Sequence, residues 1–158
     1  MNQFVIESEL LPVSYQLSQA LGEMVQSEIV KQGANSPSTI ELTHAKTLTF
    51  NFRDESYNAS DGGFHPVEIM LSRTTTQYPQ WQLVYVTTFA YIGNVYPELE
   101  RNLDFDCQSG RCLVHPYIQW APIKDNRDVL EMYQLWESNF LEYLKTNCYD
   151  TKRVSVSD

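Results

Sequence analysis

The stretch Trp81-Gln-Leu-Val-Tyr-Val-Thr-Thr-Phe-Ala-Tyr-Ile92 decides the fold. Successive strand residues point to opposite sides of a sheet. Read that way, Trp81, Leu83, Tyr85, Phe89 and Tyr91 share one side, and Val84, Val86, Ala90 and Ile92 share the other. A strand apolar on both sides belongs in mid-sheet with both faces covered. Upstream, Val67, Ile69 and Leu71 alternate as a neighbouring strand. Further upstream, Ile40, Leu42, Leu48, Phe50 and Phe52 share even parity, while Glu41, Thr43, Thr47, Thr49 and Asn51 take the polar side. His44 and Lys46 interrupt that pattern and predict a bend or two strands.

Downstream, residues 95–106 admit two readings. As a strand, they place Leu99, Leu103 and Phe105 on one face and Glu98, Glu100, Asp104 and Asp106 on the other. As a helix start, they place Pro97 at its first position with acids in the first turn. The combined pattern favours a short turn or helix over 97–101 and a strand over 102–107. Another strand is predicted over 111–120, where Pro116 marks an edge position. Thr74 to Gln80 reads as a turn, and Arg153 to Val156 as a closing strand.

Two helices bracket these strands. Ser14 precedes Leu17, Leu21, Val25 and Ile29, one apolar residue per turn, and Gly33 is placed to stop the helix. Asp125 or Asn126 precedes Val129, Tyr133, Trp136, Phe140 and Leu144, which predict a second, longer helix. Short connections imply antiparallel pairing. The expected fold is therefore α+β: one domain over residues 1–158, an antiparallel β-sheet of five to seven strands, an N-terminal helix and a long C-terminal helix.

Composition narrows the function classes. The chain has 158 residues, 42% of them hydrophobic, and a net charge of −9 with a pI near 4.7. Nucleic-acid binding requires clustered Lys and Arg against phosphate. The densest cluster here is Lys152-Arg153, so no nucleic-acid partner is expected. No apolar run approaches a membrane span, and the acidic balance disfavours anionic lipid surfaces. The start lacks a basic and then apolar leader pattern. Three cysteines, Cys107, Cys112 and Cys148, fit a reducing compartment, and a cytoplasmic location is expected. Cys107 and Cys112 bracket a predicted hairpin turn and could face each other across it. No ligand spacing completes a zinc site. Neither a nucleophile elbow nor a phosphate-cradling glycine loop is present, so neither an enzyme nor a cofactor is expected.

The loop Asn51-Phe-Arg-Asp-Glu-Ser-Tyr-Asn-Ala-Ser-Asp-Gly-Gly-Phe-His-Pro-Val-Glu-Ile69, followed by Tyr91-Ile-Gly, Pro97-Glu-Leu99 and Leu103-Asp-Phe-Asp106, resembles a family of small uncharacterised bacterial proteins known as a domain of unknown function. The resemblance covers most of residues 10–156. That family is similar in fold to the acidic mitochondrial matrix glycoproteins, which bind complement and many other proteins. Those proteins carry an antiparallel sheet flanked by one N-terminal and two C-terminal helices and assemble as ring-shaped trimers. The resemblance implies an acidic α+β binding protein without known catalysis, and it supplies no active-site residues. The present chain departs from it in having little length after the long C-terminal helix for a second one.

The candidate binding residues are Asp54, Glu55, Asp61 and His65 in the loop, and Glu98, Glu100, Asp104 and Asp106 downstream. Asp54, Ser56, Asn58 and Ser60 alternate as calcium donors would, but Ala59 and His65 stand where a calcium loop needs Gly and Glu. Turn-forming side chains and a Gly62-Gly63 pair of positive φ explain the same residues without a metal. Asp104 and Asp106 would lie about 7 Å apart on one strand face, either as an acid–base pair or as a charged edge. The leading expectation is a non-enzymatic module that binds a protein partner, and a homo-oligomer is compatible with it. Two rivals are a metal-dependent hydrolase built on the 53–65 loop with Asp104 and Asp106, and an acidic DNA mimic.

Overall fold

Ser14 caps the first helix by accepting the Leu17 N–H at 3.1 Å. The computed structural model describes residues 4–74, 80–116 and 119–157. A short strand, β1 (Val5–Glu7), precedes helix α1 (Tyr15–Gln32), which Gly33 ends at φ 93°. Helix α2 (Pro37–His44) follows, then β2 (Thr47–Arg53), β3 (Val67–Arg73), β4 (Gln80–Ile92), β5 (Glu98–Asp106), β6 (Arg111–Val114) and β7 (Ala121–Pro122). Asn126 caps α3 (Arg127–Lys145), and β8 (Thr151–Ser157) closes the order.

The sheet runs β7-β6-β5-β4-β3-β2-β8, with β4 in its middle as its composition requires. These neighbours are antiparallel, and β1 adds a parallel pairing to the start of β4, from Val5↔Gln80 to Glu7↔Gln82. The seven antiparallel strands lie within the expected five to seven, and β1, at three residues too short to show periodicity, adds an eighth by its parallel pairing.

Helices α1 and α3 cover one sheet face. Leu17 and Leu21 of α1, and Val129, Tyr133 and Phe140 of α3, are buried with Leu48, Phe50, Phe52, Ile69, Leu71 and Phe105 of the sheet. Phe52 meets Phe140 edge to face at 4.9 Å, and Phe105 meets Tyr133 at 5.3 Å. Glu137 is buried among them. Its Oε2 accepts the Ser14 N–H at 3.2 Å and the Tyr133 hydroxyl at 2.7 Å, so one carboxylate ties α3 to the start of α1.

Three sequence expectations need correction. Residues 40–44 are helical: Ser36 accepts the Thr39 N–H and Pro37 begins α2, a helix-start pattern that outweighs the even parity of Ile40 and Leu42. Arg73 then donates to the Thr43 and Ala45 carbonyls at 2.9 Å while lying 4.4 Å over the Trp81 ring, which fixes the end of α2 on the sheet. Residues 98–101 are strand, because pairing with Phe89 to Ile92 outweighs the local helix signals of Pro97 and its acids. The strand predicted over 111–120 stops at Val114, ahead of Pro116; residues 117–118 of it lie outside the described residues, as do 75–79 of the predicted 74–80 turn.

Parity also breaks twice. Met70 pairs with Tyr85 but Leu71 with Leu83, leaving Val84 as a bulge; Thr88 pairs with Leu103 but Phe89 with Arg101, leaving Asn102 as a second. Trp81 and Leu83 therefore share the helix-covered face with Val86, Thr88 and Ala90 instead of with Tyr85, Phe89 and Tyr91.

Truncating Phe140 tests the sheet–helix contact. Phe140→Ala should destabilise the fold by about 3–5 kcal/mol, whereas Leu135→Ala, on the exposed side of α3, should stay within about 0.5 kcal/mol. Urea denaturation of both variants checks the difference.

Candidate functional site

The loop between β2 and β3 is built around Asp54. Its Oδ1 accepts the Ser56 N–H at 3.0 Å and the Ser56 hydroxyl at 2.6 Å, and its Oδ2 accepts the Phe64 N–H at 3.0 Å across the loop. The Phe64 N–H above all, with the Ser56 donors, holds this carboxyl below its ordinary value of 3.8. Gly63, at φ 142°, is required there, since a Cβ would come within 2.8 Å of Asp54 Oδ2. Asn58 Oδ1 accepts the Ser60 and Asp61 N–H groups at 3.0 and 2.7 Å. Asp61 lies exposed on this turn. Glu55 turns toward the chain's end: its N–H donates to Asp150 and its Oε1 accepts the Thr151 hydroxyl, both at 2.9 Å.

His65 leaves the loop on its aromatic side. Its ring lies 5.3 Å from that of Tyr57, which lies 5.1 Å from Tyr91. Burial of its shielded side lowers the His65 pKa below 6.5, so the imidazole is neutral at pH 7. The Tyr57 hydroxyl accepts the Tyr91 N–H at 2.9 Å. β4 has run past the last β3 partner at this point, since Val67 pairs with Thr88, and Tyr57 supplies the missing acceptor. The loop thus braces the base of the β4–β5 hairpin.

The downstream acids are divided by the Asn102 bulge. Glu98 and Glu100 pair with Ile92 and Ala90, whereas Asp104 and Asp106 pair with Thr87 and Tyr85 on the opposite face. This corrects the expectation that the four share a side. Asp104 is 6% exposed; it accepts the Thr87 hydroxyl at 3.1 Å and bonds Arg101 at 3.3 Å. Burial pushes its carboxyl up, Thr87 and Arg101 pull it back, and nearby Asp106 adds to the rise. Alongside, the Tyr85 hydroxyl donates to Glu68. Asp106 shapes the β5–β6 turn by accepting the Gln108 N–H and the Ser109 hydroxyl, each at 3.0 Å.

Among the described residues, no group of three His, Cys, Asp or Glu side chains is placed to hold a metal ion. The three cysteines are free thiols. Cys107 does not face Cys112: Phe105 pairs with Cys112, while Cys107 lies in the turn beside Ser8. Burial pushes the Cys107 thiol up to about 11 and the Cys112 thiol up to about 12, which keeps both protonated and poorly nucleophilic.

Sequence reasoning missed the hairpin tip. Val95 is 79% exposed and Tyr96 86%, and Tyr91 and Leu99 are exposed on the strands below. An apolar pair inside a Gly93 to Pro97 turn is the signal that could have revealed it, because turns are ordinarily polar. Tyr57 gave no signal, since only the folded chain brings it to Tyr91.

Residues 16–157 match a family described as protein of unknown function (DUF2787). No curated protein matches the chain. Two solved structures are similar over 96% of this chain and 100% of theirs. The hypothetical protein VC0508 from the VSP-II pathogenicity island of Vibrio cholerae is 41% identical, with a TM-score of 0.78. The conserved hypothetical protein VC1805 from pathogenicity island VPI-2 of Vibrio cholerae, described as sharing structural homology with the human P32 protein, is 40% identical, with a TM-score of 0.76.

The loop should loosen in acid. Because the Asp54 pKa is lowered by folding, its contribution is complete above about pH 3.8 and is lost as pH falls through the lower folded value. Asp54→Asn should raise the hydrogen-exchange rate of the Phe64 amide several-fold at neutral pH, leaving the β3 and β4 core amides slow. Site-resolved exchange by NMR checks both outcomes.

Proposed function

The chain belongs to the DUF2787 family of proteins of unknown function, and on that footing we propose that it is a non-enzymatic protein-binding module that works through the β4–β5 hairpin. The observation that carries this reading is the exposure of Tyr91, Val95, Tyr96 and Leu99 on one projecting ribbon. Tyr91 and Leu99 pair directly across the two strands, forming a continuous apolar face below the tip. Contiguous exposed apolar side chains mark interaction surfaces, and tyrosine is enriched among the residues that dominate binding energy. The brace from Tyr57 to the Tyr91 N–H limits the ordering cost of docking.

Charge indicates the partner's chemistry. Glu98 and Glu100 line the other side of the ribbon, and the whole chain carries −9. A protein with an apolar cleft rimmed by Lys and Arg complements this surface, whereas a second copy would bring like charges together. The resemblance to the matrix glycoproteins, which bind other proteins, points the same way. Among the described residues no helix is long and apolar enough to cross a membrane, and we place the module in the cytoplasm, where three free thiols persist.

A photo-crosslinking residue at position 96, expressed in the native cell, should trap one defined protein, and the same residue at position 135 should not. With that protein purified, the combined variant Val95→Ser, Tyr96→Ser, Leu99→Ser should bind about 100-fold more weakly, and Glu98→Gln with Glu100→Gln should reduce the salt dependence of association. Equal affinity of the triple variant and the wild type overturns the proposal, as does a chain that crosslinks only to itself.

A further inference from the structure

The two ends of the sheet are finished differently. One end is β7, two residues long and containing Pro122. The other is β8, seven residues without Pro or Gly, in unbroken register with β2 and with no second strand neighbour among the described residues. Its residues are exposed or half-buried. A long, regular edge of this kind is a template for another strand.

The direction of its free groups follows from β2. The Arg73 N–H donates to the Lys46 carbonyl at 2.8 Å, so the even residues of β2 face β3 and the odd ones face β8. In agreement, the Ser155 hydroxyl reaches the Thr49 carbonyl and the Thr47 hydroxyl reaches that of Ser157. The odd residues of β8 are therefore turned to β2. Lys152, Val154 and Val156 direct their N–H and C=O groups outward.

The two faces of this edge specify different side chains. On the helix side, Lys152 and Val154 border a groove of about 910 Å³ between α1 and α3, where Ala20, Met24, Leu141 and Leu144 are half-buried. Its lining carries three glutamates and two lysines, which nearly cancel, so the groove suits apolar side chains. A strand added about 4.8 Å beyond β8 would aim alternate residues along this groove. On the open side stands Arg153, exposed and in no ion pair among the described residues. The acid in line with it, Glu68, is two strands away beyond Asn51 and accepts the Tyr85 hydroxyl.

We infer that the β8 edge is a docking site for an extended segment of another protein that reads apolar–acidic–apolar, added antiparallel to β8 with its acid opposite Arg153. A second copy does not fit, because β8 holds two bases and no acid and would offer Arg153 only another basic strand. The site is separate from the hairpin surface and stands or falls without it.

The probe is the peptide acetyl-Thr-Thr-Thr-Ile-Glu-Ile-Thr-amide, which sets Glu opposite Arg153 and its two Ile opposite Lys152 and Val154. Amide and methyl NMR on the full chain should show it moving residues 151–156 with Met24, Leu141 and Leu144, and not residues 91–99, with a Kd of about 0.1 mM or tighter. N-methylation of the Ile opposite Val154, whose N–H points at β8, should weaken binding about tenfold. N-methylation of the Glu, whose N–H points away, should leave it unchanged. Lys in place of that Glu should weaken binding about fivefold, and the exposed substitution Arg153→Glu should reverse the order of the two peptides. The inference is overturned if the peptide at about 1 mM moves no residue of β8, if both N-methylated peptides bind alike, if Arg153→Glu leaves the order unchanged, or if sedimentation shows a dimer whose Lys152, Val154 and Val156 amides are protected from exchange.

Discussion

An extra residue in a paired strand exchanges the two faces of everything beyond it. The central strand pair of this sheet is governed by two such insertions. Val84 moves Val86, Thr88 and Ala90 to the side that α1 and α3 cover, and sends Tyr85, Phe89 and Tyr91 to the open side. Asn102 then lets Leu103 and Phe105 join the core while Leu99 and Arg101 stay with the open-side residues of β4. Without the first bulge, Tyr85, Phe89 and Tyr91 would have to fit beneath the helices. Without the second, the hairpin would present its acids and its apolar residues on exchanged sides.

The open face illustrates how polar groups are then handled. Asp104 lies almost fully covered there, yet it has the Thr87 hydroxyl and the Arg101 guanidinium as partners. The Glu137 carboxylate on the covered side is likewise satisfied, by Ser14 and Tyr133. Against this background two enclosed groups stand out, the Thr88 hydroxyl and the Trp81 ring N–H, neither of which has a partner among the described residues. The same reasoning separates the acids that organise turns, Asp54 and Asp106, from Glu98 and Glu100, which stand exposed and have no partner among the described residues.

Much of the architecture was legible from apolar period alone. The 3.6-residue repeat of Leu17, Leu21, Val25 and Ile29 and the repeat from Val129 to Leu144 gave the two long helices, because each buries one stripe. The place of β4 followed from its lack of a polar side. What failed was local: Ile40 and Leu42 carry strand parity inside a helix set by Ser36 and Pro37, and no periodicity reports a bulge, since the insertion depends on pairing with another strand. The candidate site was legible in part. The turn chemistry of Asp54, Asn58 and the Gly62-Gly63 pair is local and follows from residue type. The His65–Tyr57–Tyr91 contact joins residues from separate segments, and only tertiary packing brings them together.

The pairing of β8 with β2, from Thr47↔Ser157 to Arg53↔Thr151, bears on how the protein is made. Strand β2 leaves the ribosome almost a hundred residues before the segment that will cover its free edge. At ordinary elongation rates that edge waits about 5–20 s. During that interval β2 and β3 form a nascent apolar ribbon with one flank open to stray partners, so the demand for a holding chaperone should peak in the middle of translation and subside once the final strand emerges.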